Sequence, residues 1–156
     1  MQRVTDFTVP PVVKTIDLPV GATEAFKHYV QGLPQWFPLN KFFMGETPPK
    51  ECCVETHLGG RLFERTNEGK ELVWGHITVW EPPHRLAYTW QVGTAPEKAQ
   101  LIEITFADTS EGSKLTLRHS GWEKLGEHGA RAREGYDGGW EFVLGSCYRA
   151  YVLAHK

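Results

Sequence analysis

Residues 59–90 read GGRLFERTNEGKELVWGHITVWEPPHRLAYTW. Runs rich in Leu, Val, Ile, Thr, Tyr and Trp are interrupted by Asn67-Glu68-Gly69 and by Glu81-Pro82-Pro83-His84. Both interruptions carry the chemistry of tight turns between antiparallel neighbours. The stretch therefore predicts three strands, Arg61–Arg65, Glu71–Trp80 and Arg85–Val92. It also holds three of the chain's six tryptophans, Trp74, Trp80 and Trp90. So much aromatic area on one sheet needs a cover, which the core, a guest or a partner has to supply.

Upstream, Val12–Leu18 predicts a first strand, stopped by Pro19. Ala22, Ala25, Phe26, Tyr29 and Val30 then recur at helical spacing, and Gly32 ends that helix. Leu33–Pro38 predicts one short turn carrying Trp36 and Phe37. Glu51–Leu58 predicts the second strand, with Gly59-Gly60 as a hairpin signal. Downstream, the segment Gly93 to Gln100 reads as a loop. Leu101–Ala107 and Lys114–Ser120 follow as strands around the turn Asp108–Gly112.

After Trp122 the period changes. Ala132, Tyr136, Trp140, Val143, Cys147 and Tyr151 are spaced four, four, three, four and four. That stripe predicts a helix of about 25 residues, long enough to cross a sheet. Gly135, Gly138, Gly139 and Gly145 each cost it up to about 1 kcal/mol against Ala. They predict either close approach of helix to sheet or room for something else. Asp137 is an alternative cap for a second helical segment, with a break near Gly138. The element order excludes a doubly wound parallel sheet. It predicts an α+β fold: a curved antiparallel sheet of about six or seven strands gripping a long C-terminal helix, with one or two short helices after the first strand.

The 156 residues suit a single domain spanning 1–156, with 1–10 as a flexible arm. A net charge of −2 without a like-charge block argues against nucleic acid as a partner. No apolar run approaches the roughly 18 residues of a membrane span, and the N-terminus lacks the apolar core of a secretory signal. The expected location is the cytoplasm. Cys52, Cys53 and Cys147 form no CxxC pair and read as small hydrophobes in a reducing compartment. The chain has no HExxH, P-loop, dinucleotide fingerprint or GxSxG elbow, so no metal or cofactor is expected.

Candidate polar residues come from strand parity. His119 shares parity with Leu115 and Leu117 and is expected inside, as a hydrogen-bonded imidazole or as a general base in a pocket. Glu64 shares parity with Leu62. It either enters the interior, where it could pair with His119, or is solvated while Phe63 faces inward. Alternation places Trp74, His76, Thr78 and Trp80 on one face of their strand and Val73, Gly75, Ile77 and Val79 on the other. One face meets the core; the other needs a covering loop or a partner, and a homodimer is one such cover.

At these residues the chain resembles the START-like, helix-grip superfamily. That superfamily includes the birch-pollen allergen, polyketide cyclases and the C-terminal domain of the heat-shock protein 90 ATPase activator. The resemblance rests on Gly59-Gly60-Arg61, Trp80-Glu81-Pro82-Pro83-His84-Arg85-Leu86, Thr89-Trp90 and Leu115-Thr116-Leu117-Arg118-His119-Ser120-Gly121-Trp122. It covers residues 11–153 and is nearest the activator branch. Phe26 through Gly32-Leu33-Pro34-Gln35-Trp36-Phe37-Pro38, with Gly135-Tyr136-Asp137-Gly138-Gly139-Trp140, further resembles calicheamicin-resistance-like proteins. The loops 41–53 and 93–100 differ from that pattern, so enediyne resistance is not carried over.

The resemblance implies a cavity between sheet and C-terminal helix that binds a hydrophobic or aromatic small molecule. The expected walls are Trp36, Phe37, Trp74, Trp90, Phe106, Tyr136, Trp140 and Val143, with Glu64, His76 and His119 as polar groups. The alternative is a polyketide cyclase-like enzyme using His119 or Glu64 as acid/base. A chaperone-associated stress protein ranks third, because only about ten residues precede the first strand, too few for a chaperone-binding domain.

Overall fold

In the computed structural model, which describes residues 9–156, seven strands form one antiparallel sheet. They are β1 (Val12–Leu18), β2 (Glu51–Val54), β3 (Arg61–Arg65), β4 (Glu71–Glu81), β5 (Arg85–Trp90), β6 (Gln100–Thr109) and β7 (Gly112–Ser120). Their spatial order is β1-β7-β6-β5-β4-β3-β2. The expected arm falls chiefly on residues 1–8, outside the described residues. Strand β2 is shorter than its apolar pattern suggests: it ends at Val54, and His57 to Gly60 turn back toward Arg61.

Helices α1 (Ala22–Gln31) and α2 (Leu33–Trp36) follow β1. The first buries the predicted stripe Ala22, Ala25, Phe26, Tyr29 and Val30. Gly21 offers no side-chain cap, and Asp108 near the end of β6 supplies one, accepting from the Ala22 N–H at 2.8 Å.

Strand β4 corrects the parity reading. Two register shifts interrupt its pairing, one against Leu62/Phe63 of β3 and one between Ile77 and Val79 against β5. Each bulge inserts an unpaired residue and reverses the alternation beyond it. Trp74 and Ile77 are therefore both buried, Trp80 packs inward against Phe26, and His76 and Thr78 are exposed. Gly75 sits at the first bulge, where a Cβ would lie 1.7 Å from the Thr89 carbonyl oxygen. No spare tryptophan face is left on this strand for a second subunit to cover.

On β3 the alternation is regular, and both residues in question are buried, on opposite faces. Leu62 and Glu64 point into the core. Phe63 lies on the outer face beneath Arg61 and Arg65, whose guanidinium carbons stand 4.2 and 5.5 Å from its ring centre.

The C-terminal helix begins with a 3-10 segment, Trp122–His128, and runs through α3 (Gly129–Trp140), a π-helical stretch (Glu141–Tyr148) and α4 (Arg149–His155). It is continuous through Gly138 and Gly139. Asp137 caps nothing and instead meets Lys14 of β1 at 3.0 Å. The wider π turns move the buried stripe. After Trp140 the most buried side chains are Val143, Leu144, Tyr148 and Val152, while Cys147 and Tyr151 are only partly covered.

Candidate functional site

The end of β5, the middle of the C-terminal helix and the loop after α2 border a half-open cavity of about 340 Å³. The end of β5 and the residues after it contribute Trp90 and Val92. The helix contributes Ala132, Gly135, Tyr136, Gly139, Trp140 and Val143. The loop after α2 closes the third side with Phe37, Lys41, Phe42 and Phe43.

The helical glycines do not bring helix and sheet together. A Cβ added at Gly135, Gly138, Gly139 or Gly145 would meet nothing within 4 Å. Gly135 and Gly139, one helical turn apart, face the cavity and leave a strip of its wall without side chains.

Hydrogen bonds hold the aromatic walls in place. The Trp90 indole N–H donates to the Tyr136 hydroxyl at 2.9 Å. The Trp140 indole N–H donates to His119 Nδ1, also at 2.9 Å. An indole can only donate, so Nδ1 is the acceptor and the neutral imidazole carries its proton on Nε2. His119 is fully buried between the rings of Trp122 and Tyr136, with centroids at 4.3 and 4.9 Å. Burial lowers its pKa from 6.5 to about 3, so the ring is neutral at ordinary pH. Its Nε2 has no hydrogen-bond partner among the described residues.

Glu64 does not pair with His119. Its Oε1 accepts from the Trp74 indole N–H and from the Met44 backbone N–H, each at 2.7 Å, and its Oε2 accepts from the Gly45 N–H at 3.1 Å. Three donors satisfy the buried carboxylate and tie the loop that closes the cavity to the sheet.

Of the expected walls, Phe37, Trp90, Tyr136, Trp140 and Val143 line the cavity. Trp74 stands one layer behind, 4.9 Å from Phe37 and 5.5 Å from Trp90. Trp36 belongs to the core beside Tyr29 and Tyr148, and Phe106 to the core beside Phe26 and Tyr29. His76 is exposed and is not among the lining residues. Lys41, Phe42 and Phe43 lie in a loop that alternation and helical period do not describe. The spacing of Gly135 and Gly139 was the available signal for an open helix face. Among the described residues no helix is long and apolar enough to cross a membrane, and no cluster of His, Cys, Asp or Glu could hold a metal ion.

The family of Activator of Hsp90 ATPase homolog 1-like proteins matches residues 24–146. The chain belongs to this family. Solved structures agree on the fold. One is CalC from Micromonospora echinospora, described as a self-sacrificing resistance protein: TM-score 0.70, 22% identity, over 92% of this chain and 94% of that one. An anthrahydroquino-gamma-pyrone synthase gives a TM-score of 0.57 and 26% identity over 83% of this chain and 88% of its own. A Nitrosomonas europaea protein gives 0.66 and 16% over 94% and 96%. Among curated proteins, none matches this chain in sequence. These likenesses, with the long helix laid against a seven-stranded curled sheet, place the family member within the helix-grip superfamily.

Proposed function

We propose that this protein is a single ligand-binding domain that holds a hydrophobic, aromatic small molecule in the cavity between α3, the end of β5 and the loop after α2. One observation carries the reading: about 340 Å³ of space is bounded by Trp90, Tyr136, Trp140 and three phenylalanines, where Gly135 and Gly139 withhold side chains. That volume lies at the lower end of the roughly 300–1,000 Å³ typical of small-molecule sites. The anthrahydroquino-gamma-pyrone synthase, with the same fold, is named for a ring compound, which agrees with the choice of ligand class.

A catalytic role for His119 or Glu64 has less support. The acceptor nitrogen of His119 is occupied by Trp140, and all the Glu64 hydrogen bonds serve the protein itself. We also place the protein in the cytoplasm, where its three free thiols would stay reduced.

The test is a titration with N-phenyl-1-naphthylamine, a neutral aromatic dye that fluoresces when desolvated. Saturable binding by the native protein, lost in Gly139→Leu, supports the reading. No binding, or binding unchanged by Gly139→Leu, refutes it.

A further inference from the structure

Among the described residues lining the cavity, Lys41 is the one with a charged side chain. None of the ion pairs among the described residues uses it. Its ammonium lies 5.2 Å from the centre of the Phe142 ring, which places it beside the π-helical stretch. The same charge acts on the neighbouring Cys147 thiol, partly opposing the rise that burial imposes. Lys41 is exposed, so its head is at the rim while the aromatic walls lie deeper.

A bare aromatic cavity of this kind suits neutral or cationic guests, since ring faces attract positive charge. A lysine at the rim reverses that preference. An exposed cation–π contact is worth only about 0.5–1 kcal/mol, so the ammonium can leave Phe142 for a better partner. An anion beside apolar walls is such a partner, because charge-assisted bonds strengthen as water is excluded. The second polar group is the Tyr136 hydroxyl. It accepts from Trp90 and keeps its own proton to donate. The side-chain-free strip at Gly135 and Gly139 shares the cavity with Trp90 and the phenylalanines, which suits a flat ring system.

We infer that the ligand is a flat aromatic acid, seated with its rings against the glycine strip and its carboxylate at the rim on Lys41. This inference rests on the cavity being a ligand site, and the two fail separately in one experiment. Calorimetric titrations at pH 7.5 and low salt compare 2-naphthoate with 2-naphthamide, which has the same shape and no charge. The expected result is naphthoate binding about three- to tenfold tighter than the amide, with the margin shrinking at high salt. Lys41→Gln should level the two by weakening naphthoate alone, and Lys41→Arg should keep the preference. Lys41 is exposed, so melting curves of both variants should match the native protein. Equal binding of acid and amide, or a preference that survives Lys41→Gln, overturns the inference and leaves the cavity reading standing. Failure of both probes to bind overturns both.

Discussion

The Trp140 indole N–H meets Nδ1 of His119 at 2.9 Å, so a cavity wall is aimed by an imidazole that is not itself among the residues lining the cavity. The bond requires a neutral ring with Nδ1 unprotonated. Protonation of His119 would set a donor against a donor inside the core.

The first prediction is acid sensitivity with a defined sign. The His119 pKa falls from 6.5 in the unfolded chain to about 3 in the fold. The unfolded state therefore takes up the proton first. The contribution of this group is complete above about pH 6.5 and is lost as pH falls from there toward 3, at up to about 1.4 kcal/mol per pH unit. His119→Gln keeps an acceptor for Trp140 and cannot titrate. Urea melts at several pH values should show a shallower acid slope for this variant than for the native protein.

The second prediction separates stability from binding. Gly139→Leu replaces the poorest ordinary helix former at a position with open space, and should raise stability by about 0.5–1 kcal/mol. It also fills the cavity. Denaturant midpoints should rise while dye binding disappears.

The third concerns the peg under the closing loop. Glu64→Gln turns one acceptor into an amide donor facing backbone or indole N–H groups. The expected cost is about 2–4 kcal/mol by chemical denaturation. Proteolysis should show earlier cleavage between residues 38 and 50 than in the native protein. Trp74→Phe removes only one of the three donors and should cost less, about 1–2 kcal/mol.

The fourth orders the thiols. Burial pushes Cys52 up to about 12, and Cys52 is 1% exposed. Cys53 and Cys147 are raised less and are more accessible. Iodoacetamide at pH 8, followed by mass spectrometry, should label Cys53 and Cys147 first and Cys52 only on unfolding.

Much of the fold was legible because two periods dominate the chain. Strands β1, β3 and β7, helix α1 and the final helix follow from alternation and from the helical stripe. What was not legible needed information from across the sheet. The bulges of β4 are set by pairing with β3 and β5, so alternation carried past them placed His76 beside Trp74 when only Trp74 is inside. The partners of Glu64 are two backbone amides and a side chain on another strand, which no local pattern encodes. Of the cavity, the tryptophans and Tyr136 could be chosen from the sequence. The rim at 41–43 could not, since a loop has no period to read.

The π-helical stretch from Glu141 to Tyr148 gives this helix one residue more than ordinary α turns would take up over the same rotation. Loss of a single residue there would let the backbone relax to α turns while the flanking faces stay in place. Tyr148 and Val152 would remain inward, and the Tyr148 hydroxyl would keep the Ala25 carbonyl that it reaches at 2.7 Å. In related chains a one-residue gap at this point would therefore leave the inner surface unchanged, whereas a gap elsewhere in the helix would rotate it.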